Sequence, residues 1–285
     1  MATFTNQATL TYNGTSVLSN VVVGECLEPL TLTKTASGSR YTRGEALTYV
    51  LALRNTGNTA LNGLRVTDDL GAYTTTGGVR VTPLTYVDGS VLVFEDGVLQ
   101  PTPTVTAGQT LVFDGISVPA NGETIIVYRA TPNMYAPLGP GAVITNTATV
   151  SGAAGVTPVS ASETVTAISE AQLRIEKRIE PTRVEENGTL TYTFIITNYG
   201  NTPATAEDSV VLTDVFDPIL HGLTATYEGT RWTEGTEYTY DEASGTFTST
   251  AGAITVPAAT YTQDPATGTV TVIPGSVTLV ITGTV

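Results

Sequence analysis

One strand is written twice in this chain. Residues 4–10 read Phe-Thr-Asn-Gln-Ala-Thr-Leu, and residues 144–150 read Ile-Thr-Asn-Thr-Ala-Thr-Val. The second copy closes an internal segment, whereas the first stands ahead of anything it could close. A longer repeat sets Ala-Leu-Thr-Tyr-Val-Leu-Ala-Leu-Arg-Asn-Thr-Gly-Asn-Thr (46–59) against Thr-Leu-Thr-Tyr-Thr-Phe-Ile-Ile-Thr-Asn-Tyr-Gly-Asn-Thr (189–202). Lys34 and Lys177 keep the same 143-residue offset, and the strand copies are 140 residues apart, a period of domain size rather than of solenoid units. Val-Thr-Asp (66–68) recurs as Leu-Thr-Asp (212–214), and Val-Pro-Ala recurs at 118–120 and 256–258. No third copy of the repeated strand follows the second segment. The predicted organisation is therefore an N-terminal hairpin over 1–25, a complete module over 26–168, and a second module over 169–285 that lacks its last strands.

Residue usage favours strands throughout. Charged residues make up 13% of the chain, about half the usual quarter, while Thr, Val, Gly and Tyr are abundant. Period-two alternation recurs, and no window holds the i, i+3, i+4, i+7 spacing of an amphipathic helix. Asn13-Gly14 is a strong two-residue turn signal, placing hairpin strands over 3–12 and 16–25. The fold class read from these features is all-β, two tandem sandwiches of about seven strands each plus the hairpin. A net charge of -14 argues against nucleic-acid or anionic-membrane partners, which need basic patches. No run approaches the ~18–20 apolar residues of a membrane span. The first residues lack the basic and apolar regions of a secretory signal, so export by the usual N-terminal route is not expected if Met1 is the true start.

A single cysteine excludes an internal disulfide framework. Cys26 reads as a quiet thiol, though its place beside the hairpin leaves an intersubunit disulfide open. The single histidine, His221, reads as a loop residue and leaves no multi-histidine metal site. No phosphate loop, nucleophile elbow or zinc pattern is present, so neither an enzyme nor a cofactor is expected.

Lys-Thr-Ala at 34–36, Tyr-x-x-x-x-x-Asn-Thr-Gly-Asn-Thr from Tyr49, Val-Thr-Asp-x-Leu from Val66 and Ile-Thr-Asn-Thr-Ala-Thr-Val from Ile144 resemble the conserved repeat domain of bacterial and archaeal surface proteins. That family is also called domain of unknown function eleven. The resemblance covers nearly the whole chain and implies immunoglobulin-like sandwiches serving as stalks, adhesins or surface-layer parts. It implies no particular function, because one fold hosts many.

Strand alternation sorts side chains by face. Leu30, Leu32 and Lys34 share one face, as do Leu173, Ile175, Lys177 and Ile179, whose opposite face carries Arg174, Glu176, Arg178 and Glu180. Asp68 falls with Leu64, Val66 and Leu70, and Asp214 with Val210, Leu212 and Phe216. Asn146 falls with Ile144, Ala148 and Val150, and Asn6 with Phe4, Ala8, Leu10 and Tyr12. A lysine, an acid and an asparagine thus point into each completed module. Burying unpaired charge is costly, and a bare buried ion pair is often no better than an apolar substitute. Attack of a neutral lysine amine on the asparagine carboxamide, assisted by a protonated acid, removes that cost. Apolar burial shifts lysine and carboxyl groups in the directions required. This arrangement resembles the self-forming Lys–Asn isopeptide bond of Gram-positive pilin and adhesin sandwiches. It implies a bond within the chain, Lys34 to Asn146 with Asp68 assisting, and one between subunits, Lys177 to Asn6 with Asp214 assisting. A buried Lys–Asp pair with a hydrogen-bonded asparagine is the other reading of the same residues.

The function expected is a structural subunit of an extracellular, cell-surface or spore-surface filament. Its partners are copies of itself, joined head to tail as the N-terminal strand enters module two of a neighbour. The alternative is a surface adhesin or glycan-binding protein using the sandwiches as spacers, with Trp232, Tyr238 and Tyr240 as its one candidate recognition cluster.

Overall fold

The computed structural model describes residues 2–26, 28–152 and 156–285. Its regular structure is almost entirely β, with one short 3-10 turn at Ala206–Asp208 among the described residues. Module one packs two six-stranded sheets face to face. Leu30–Ala36, the lysine strand, lies at the edge of the first sheet beside Leu47–Asn55, which pairs in turn with Glu123–Pro132. Leu61–Asp68, the acid strand, lies inside the second sheet between Leu111–Val118 and Val143–Ser151, the asparagine strand, which continues through a hairpin to Val159–Ala167. Alternation decides what each sheet buries. Tyr49, Leu51, Leu53, Ile126 and Tyr128 face Leu64, Val66, Phe113, Ala148 and Val150, all fully buried. Each large aliphatic side chain here stabilises the module by about 1.5–3 kcal/mol.

The Asn-x-Gly-Asn-Thr repeat is a structural device. Asn55 and Asn198 are both buried, and each side chain ties its own loop. The Asn55 Nδ2 donates to the Thr59 carbonyl at 2.8 Å while its Oδ1 accepts the Gly57 N–H at 2.9 Å. Asn198 makes the same two bonds with Thr202 and Gly200 at 2.8 and 2.9 Å.

Module two has the same first layer and half of the second. Its lysine strand, Leu173–Glu180, pairs with Thr189–Asn198, which pairs with Gly275–Thr284 and then His221–Tyr227. The facing sheet has three strands, with its acid strand Thr213–Val215 paired only to Thr246–Ser249. The other edge of that strand, where module one places its asparagine strand, has no partner among the described residues. Every residue of Leu173–Glu180 is consequently exposed, with Ile175 at 59%, whereas the matching Leu32 is at 9%.

Several elements differ from the sequence reading. Short edge strands such as Val98–Leu99 and Thr104–Ala107 in module one and Thr230–Arg231 in module two raise both modules above seven strands. His221 begins a strand instead of lying in a loop, and its ring contacts Glu242. The N-terminal hairpin is two ribbons, Ala2–Asn6 with Val22–Cys26 and Thr9–Tyr12 with Thr15–Leu18. Pairing of Asn6 with Val22 and of Thr9 with Leu18 leaves one extra residue on the returning side, the signature of a bulge. The turn is at Asn13-Gly14, where φ is 48° and 81°, both positive as a type I′ turn requires.

One unanticipated element joins the modules. Between Val-Pro-Ala (256–258) and the last strand, module two inserts the hairpin Thr260–Gln263/Val270–Ile273, where module one has only the turn Pro119–Gly122. This hairpin lies against module one. Gln263 Nε2 donates to the Tyr73 hydroxyl at 2.7 Å, the Val270 N–H to the Met134 carbonyl at 2.8 Å, and Arg43 Nη2 to the Val270 carbonyl at 3.1 Å. The chains approach so closely that a Cβ at Gly77 would lie 2.2 Å from the Pro265 carbonyl oxygen. At about 0.5–1.5 kcal/mol per hydrogen bond, such a clasp couples the two modules by a few kcal/mol. Replacing residues 259–274 with a two-residue turn should therefore split one thermal transition into two in scanning calorimetry. An unchanged single transition would show that the coupling lies elsewhere.

Candidate functional site: a buried lysine cluster and its open counterpart

In module one, period-two alternation brings Lys34, Asp68 and Asn146 into one buried cluster from three strands. The Lys34 ammonium donates to Asp68 Oδ2, and both side chains are fully shielded from solvent. The Tyr128 hydroxyl donates to the same carboxylate oxygen, while Asp68 Oδ1 accepts the Leu70 N–H at 2.9 Å. Asn146 Nδ2 donates to the Tyr128 oxygen at 3.1 Å, and Asn146 Oδ1 accepts the Gly71 N–H at 3.2 Å. The lysine nitrogen lies over the Tyr49 and Tyr128 rings, 5.1 and 5.9 Å from their centroids.

Burial dominates the electrostatics. Desolvation pulls the Lys34 ammonium below the usual lysine range, opposed by the attraction of Asp68. Burial, followed by the Asp68 charge, pushes the Tyr128 phenol well above its ordinary value. A buried pair of this kind gives little net stability, yet stranding either partner costs about 3–5 kcal/mol. The cluster is thus held by mutual need, with the ammonium and the carboxamide each bonded to the Asp68–Tyr128 pair.

Module two has the same lysine and acid without the rest. Lys177 donates to Asp214 Oδ2 at 2.5 Å, but their side chains are 41% and 18% exposed. The ammonium lies over Tyr192, Phe216 and Phe194, with centroids 4.6, 5.2 and 5.5 Å away. Tyr192 pairs across the strand with Ile281, just as Tyr49 pairs with Tyr128, so an isoleucine occupies the position of the phenol. A groove beside the acid strand is lined mainly by apolar residues, among them Leu173, Ile175, Ile196, Val210, Leu212 and Ile254. Solvent reaches Lys177, as it does not reach Lys34.

The remaining predicted residues lie on the hairpin. Phe4, Asn6, Ala8, Leu10 and Tyr12 are all exposed, Leu10 at 70% and Tyr12 at 75%, and the hairpin pairs only with itself among the described residues. The Cys26 side chain lies outside the described residues. Trp232 and Tyr238 are core residues, and Trp232 stacks on Tyr227 with centroids 5.2 Å apart. Of that aromatic cluster, only Tyr240 is partly accessible, and its hydroxyl is bonded to the Leu220 backbone.

Two members of the buried cluster escaped the sequence reading, Tyr128 and the Gly71 N–H. Alternation in Ile-Ile-Val-Tyr-Arg (125–129) does turn Tyr128 inward. Its place opposite Asp68 depends on how one sheet stacks on the other, which no local pattern encodes.

No family model matches the chain, and no curated protein matches it in sequence. Among solved structures, it is similar to BcpA, the major pilin subunit of Bacillus cereus, at 14% identity and a TM-score of 0.37, over 96% of this chain and 73% of that one. It is similar to a 35 kDa C-terminal fragment of the major pilin GBS80 of Streptococcus agalactiae at 13% identity and a TM-score of 0.36, over 78% and 79% of the two chains. The major pilin SpaD of Corynebacterium diphtheriae gives 13% identity and a TM-score of 0.36 over 86% and 59%. Likeness at this level assigns no function, and the all-β fold stands on the sheets themselves.

Proposed function

We propose that this chain is the structural subunit of an extracellular filament, in which the N-terminal hairpin of one copy completes module two of the next. The observation that carries the reading is the contrast between the two acid strands. Leu61–Asp68 is paired on both edges, while Thr213–Val215 has one edge open beside an exposed apolar groove. An unpaired edge of this kind is a template for strand addition.

The repeat offset supplies the register. In module one Ala148 lies opposite Asp68, with Asn146 two residues away. With Asp214 in the place of Asp68, shifting the asparagine strand by its 140-residue offset sets Ala8 opposite Asp214 and Asn6 in the place of Asn146. Phe4 and Leu10 then take the places of Ile144 and Val150, both buried in module one. Burial of Phe4, Leu10 and Tyr12, at about 1.5–3 kcal/mol each, favours docking by several kcal/mol before backbone pairing is counted. Self-insertion is disfavoured, because a few residues at ~3.5 Å each join the hairpin to module one, which stands between it and module two. Donation between copies that does not close into a ring propagates as a fibre.

Docking would also complete the second cluster. The carboxamide of Asn6 arrives where Lys177 and Asp214 wait, and the donor strand removes the solvent now covering the ammonium. Lys177 Nζ then attacks Asn6 Cγ, the carboxamide nitrogen leaves as ammonia, and a covalent link joins the subunits. The Lys34–Asn146 bond inside module one would form by the same exchange. The glycan-binding alternative loses its surface, since Trp232 and Tyr238 belong to the core.

Deleting residues 1–25 should abolish fibres in negative-stain images while module one stays folded. Adding a synthetic 1–25 peptide to the truncated chain should raise its thermal stability, because a ligand of the folded state stabilises it by mass action. Fibres from the truncated chain that match the full-length ones would exclude strand donation. Covalency is tested separately. Wild-type fibres should survive boiling in detergent, and Lys177→Ala or Asn6→Ala fibres should form yet boil to monomers. Wild-type fibres that boil to monomers, with no fused Lys177–Asn6 peptide in mass spectra, would exclude the intersubunit bond and leave strand donation standing.

A further inference from the structure

Both ends of the Asn146 carboxamide are held by groups other than Lys34 and Asp68. Its oxygen accepts the Gly71 N–H at 3.2 Å, and its nitrogen donates to the Tyr128 oxygen at 3.1 Å. The same phenol donates to the Asp68 oxygen that receives the Lys34 ammonium. Lysine, acid, phenol and carboxamide are therefore linked in one unbroken hydrogen-bonded series with no solvent exposure. Gly71 is suited to its place, since its φ is +73° and a Cβ there would lie 2.5 Å from Ile144 Cγ2.

We propose that Tyr128 relays the proton that releases ammonia from Asn146, and that the Gly71 N–H stabilises the oxyanion formed on the same carboxamide. This inference rests on the Lys34–Asn146 crosslink proposed above. The step balances. A proton passes from the Lys34 ammonium to Asp68, and the freed electron pair on Nζ forms a bond to Asn146 Cγ. The carbonyl electrons move onto Oδ1, where the Gly71 N–H faces them. Protonated Asp68 now donates to the Tyr128 oxygen, which frees the phenolic hydrogen to turn toward Nδ2. The Cγ–Nδ2 bond breaks with its electrons going to nitrogen, and ammonia departs. The attacking nitrogen returns its surplus proton to Asp68. Five hydrogens on the two reacting nitrogens become one on the new amide, three on ammonia and one on Asp68, and no net charge remains buried. A phenol held far above its ordinary pKa by burial and a carboxylate gives up its proton only while receiving another, which a relay satisfies.

Module two supplies the comparison. Ile281 occupies the Tyr128 position there and has no proton to pass. The Lys177–Asn6 bond therefore forms more slowly than the Lys34–Asn146 bond, after docking and not during folding.

The test is a time course of intact mass after cell-free synthesis of the full chain, reading the loss of one ammonia. Tyr128→Phe keeps the ring and should slow that loss by about 100-fold, within the usual range for general acid–base help. Tyr49→Phe is the control. Tyr49 is equally buried and stacks on Tyr128 with centroids 5.5 Å apart, but its hydroxyl, although beside the Asn146 amide, makes no hydrogen bond. Its rate should stay within about threefold of wild type. Tyr128→Phe crosslinking as fast as wild type overturns the relay and leaves the crosslink intact. Wild type that never loses ammonia overturns the crosslink itself. If Tyr128→Phe fails to fold, 3-fluorotyrosine at position 128 keeps the hydroxyl with a more acidic proton. It should retain fast crosslinking and move the pH–rate profile, and an unmoved profile overturns the relay.

Discussion

Whether the acid strand has a partner on its second edge decides the state of each module. In module one, Val143–Ser151 pairs with Leu61–Asp68, and its inward residues Ile144, Asn146, Ala148 and Val150 seal the core over the lysine strand. In module two that edge is open, and Leu173–Glu180 lies bare along its length. Backbone pairing and apolar burial are the same event here, because a strand that satisfies the edge necessarily carries alternate side chains into the groove. Sheet edges are ordinarily blunted by charge, proline or bulges. This edge keeps an apolar groove beside it, as an acceptor of a further strand would.

The same strand sets the electrostatics. Lys34 and Lys177 each face an aspartate and rest over aromatic rings, but the Lys34 side chain is fully shielded whereas that of Lys177 is 41% exposed. Solvation keeps a lysine ammonium cationic and unreactive, whereas burial disfavours the charge and yields a nucleophilic amine. The Lys177 side chain keeps contact with water that Lys34 has lost. In the proposed assembly, a docking strand would exclude that water as its carboxamide arrives, which would confine covalent linkage to correctly docked strands.

Much of this was legible because strands have a period of two. Repetition of Ile-Thr-Asn-Thr-Ala-Thr-Val near the N-terminus, and the common faces of Leu30, Leu32 and Lys34, needed only counting along the chain. Lys34, Asp68 and Asn146 could be assigned an inward direction from neighbours two residues away. What stayed hidden depends on distance across the fold. Tyr128 meets Asp68 through the stacking of two sheets, and Gly71 meets Asn146 through a loop. The clasp at Thr260–Gln263 and Val270–Ile273 reads locally as an ordinary hairpin, and its partners Tyr73 and Met134 lie in the other module. His221 was misplaced because Asp217-Pro218 signals a turn and the strand begins soon after it. Ile175 and Lys177 face inward by pattern, yet lie exposed because no strand among the described residues pairs with the second edge of the acid strand.

Amide hydrogen exchange, compared between dispersed protein and assembled fibres, examines strand donation most directly. Donation predicts that amides of Thr213–Val215 and of residues 2–12 gain protection together on assembly, while those of Leu61–Asp68, already paired on both edges, stay as they were. Protection that rises elsewhere while the hairpin and the Thr213–Val215 edge keep exchanging as in the dispersed protein would contradict it.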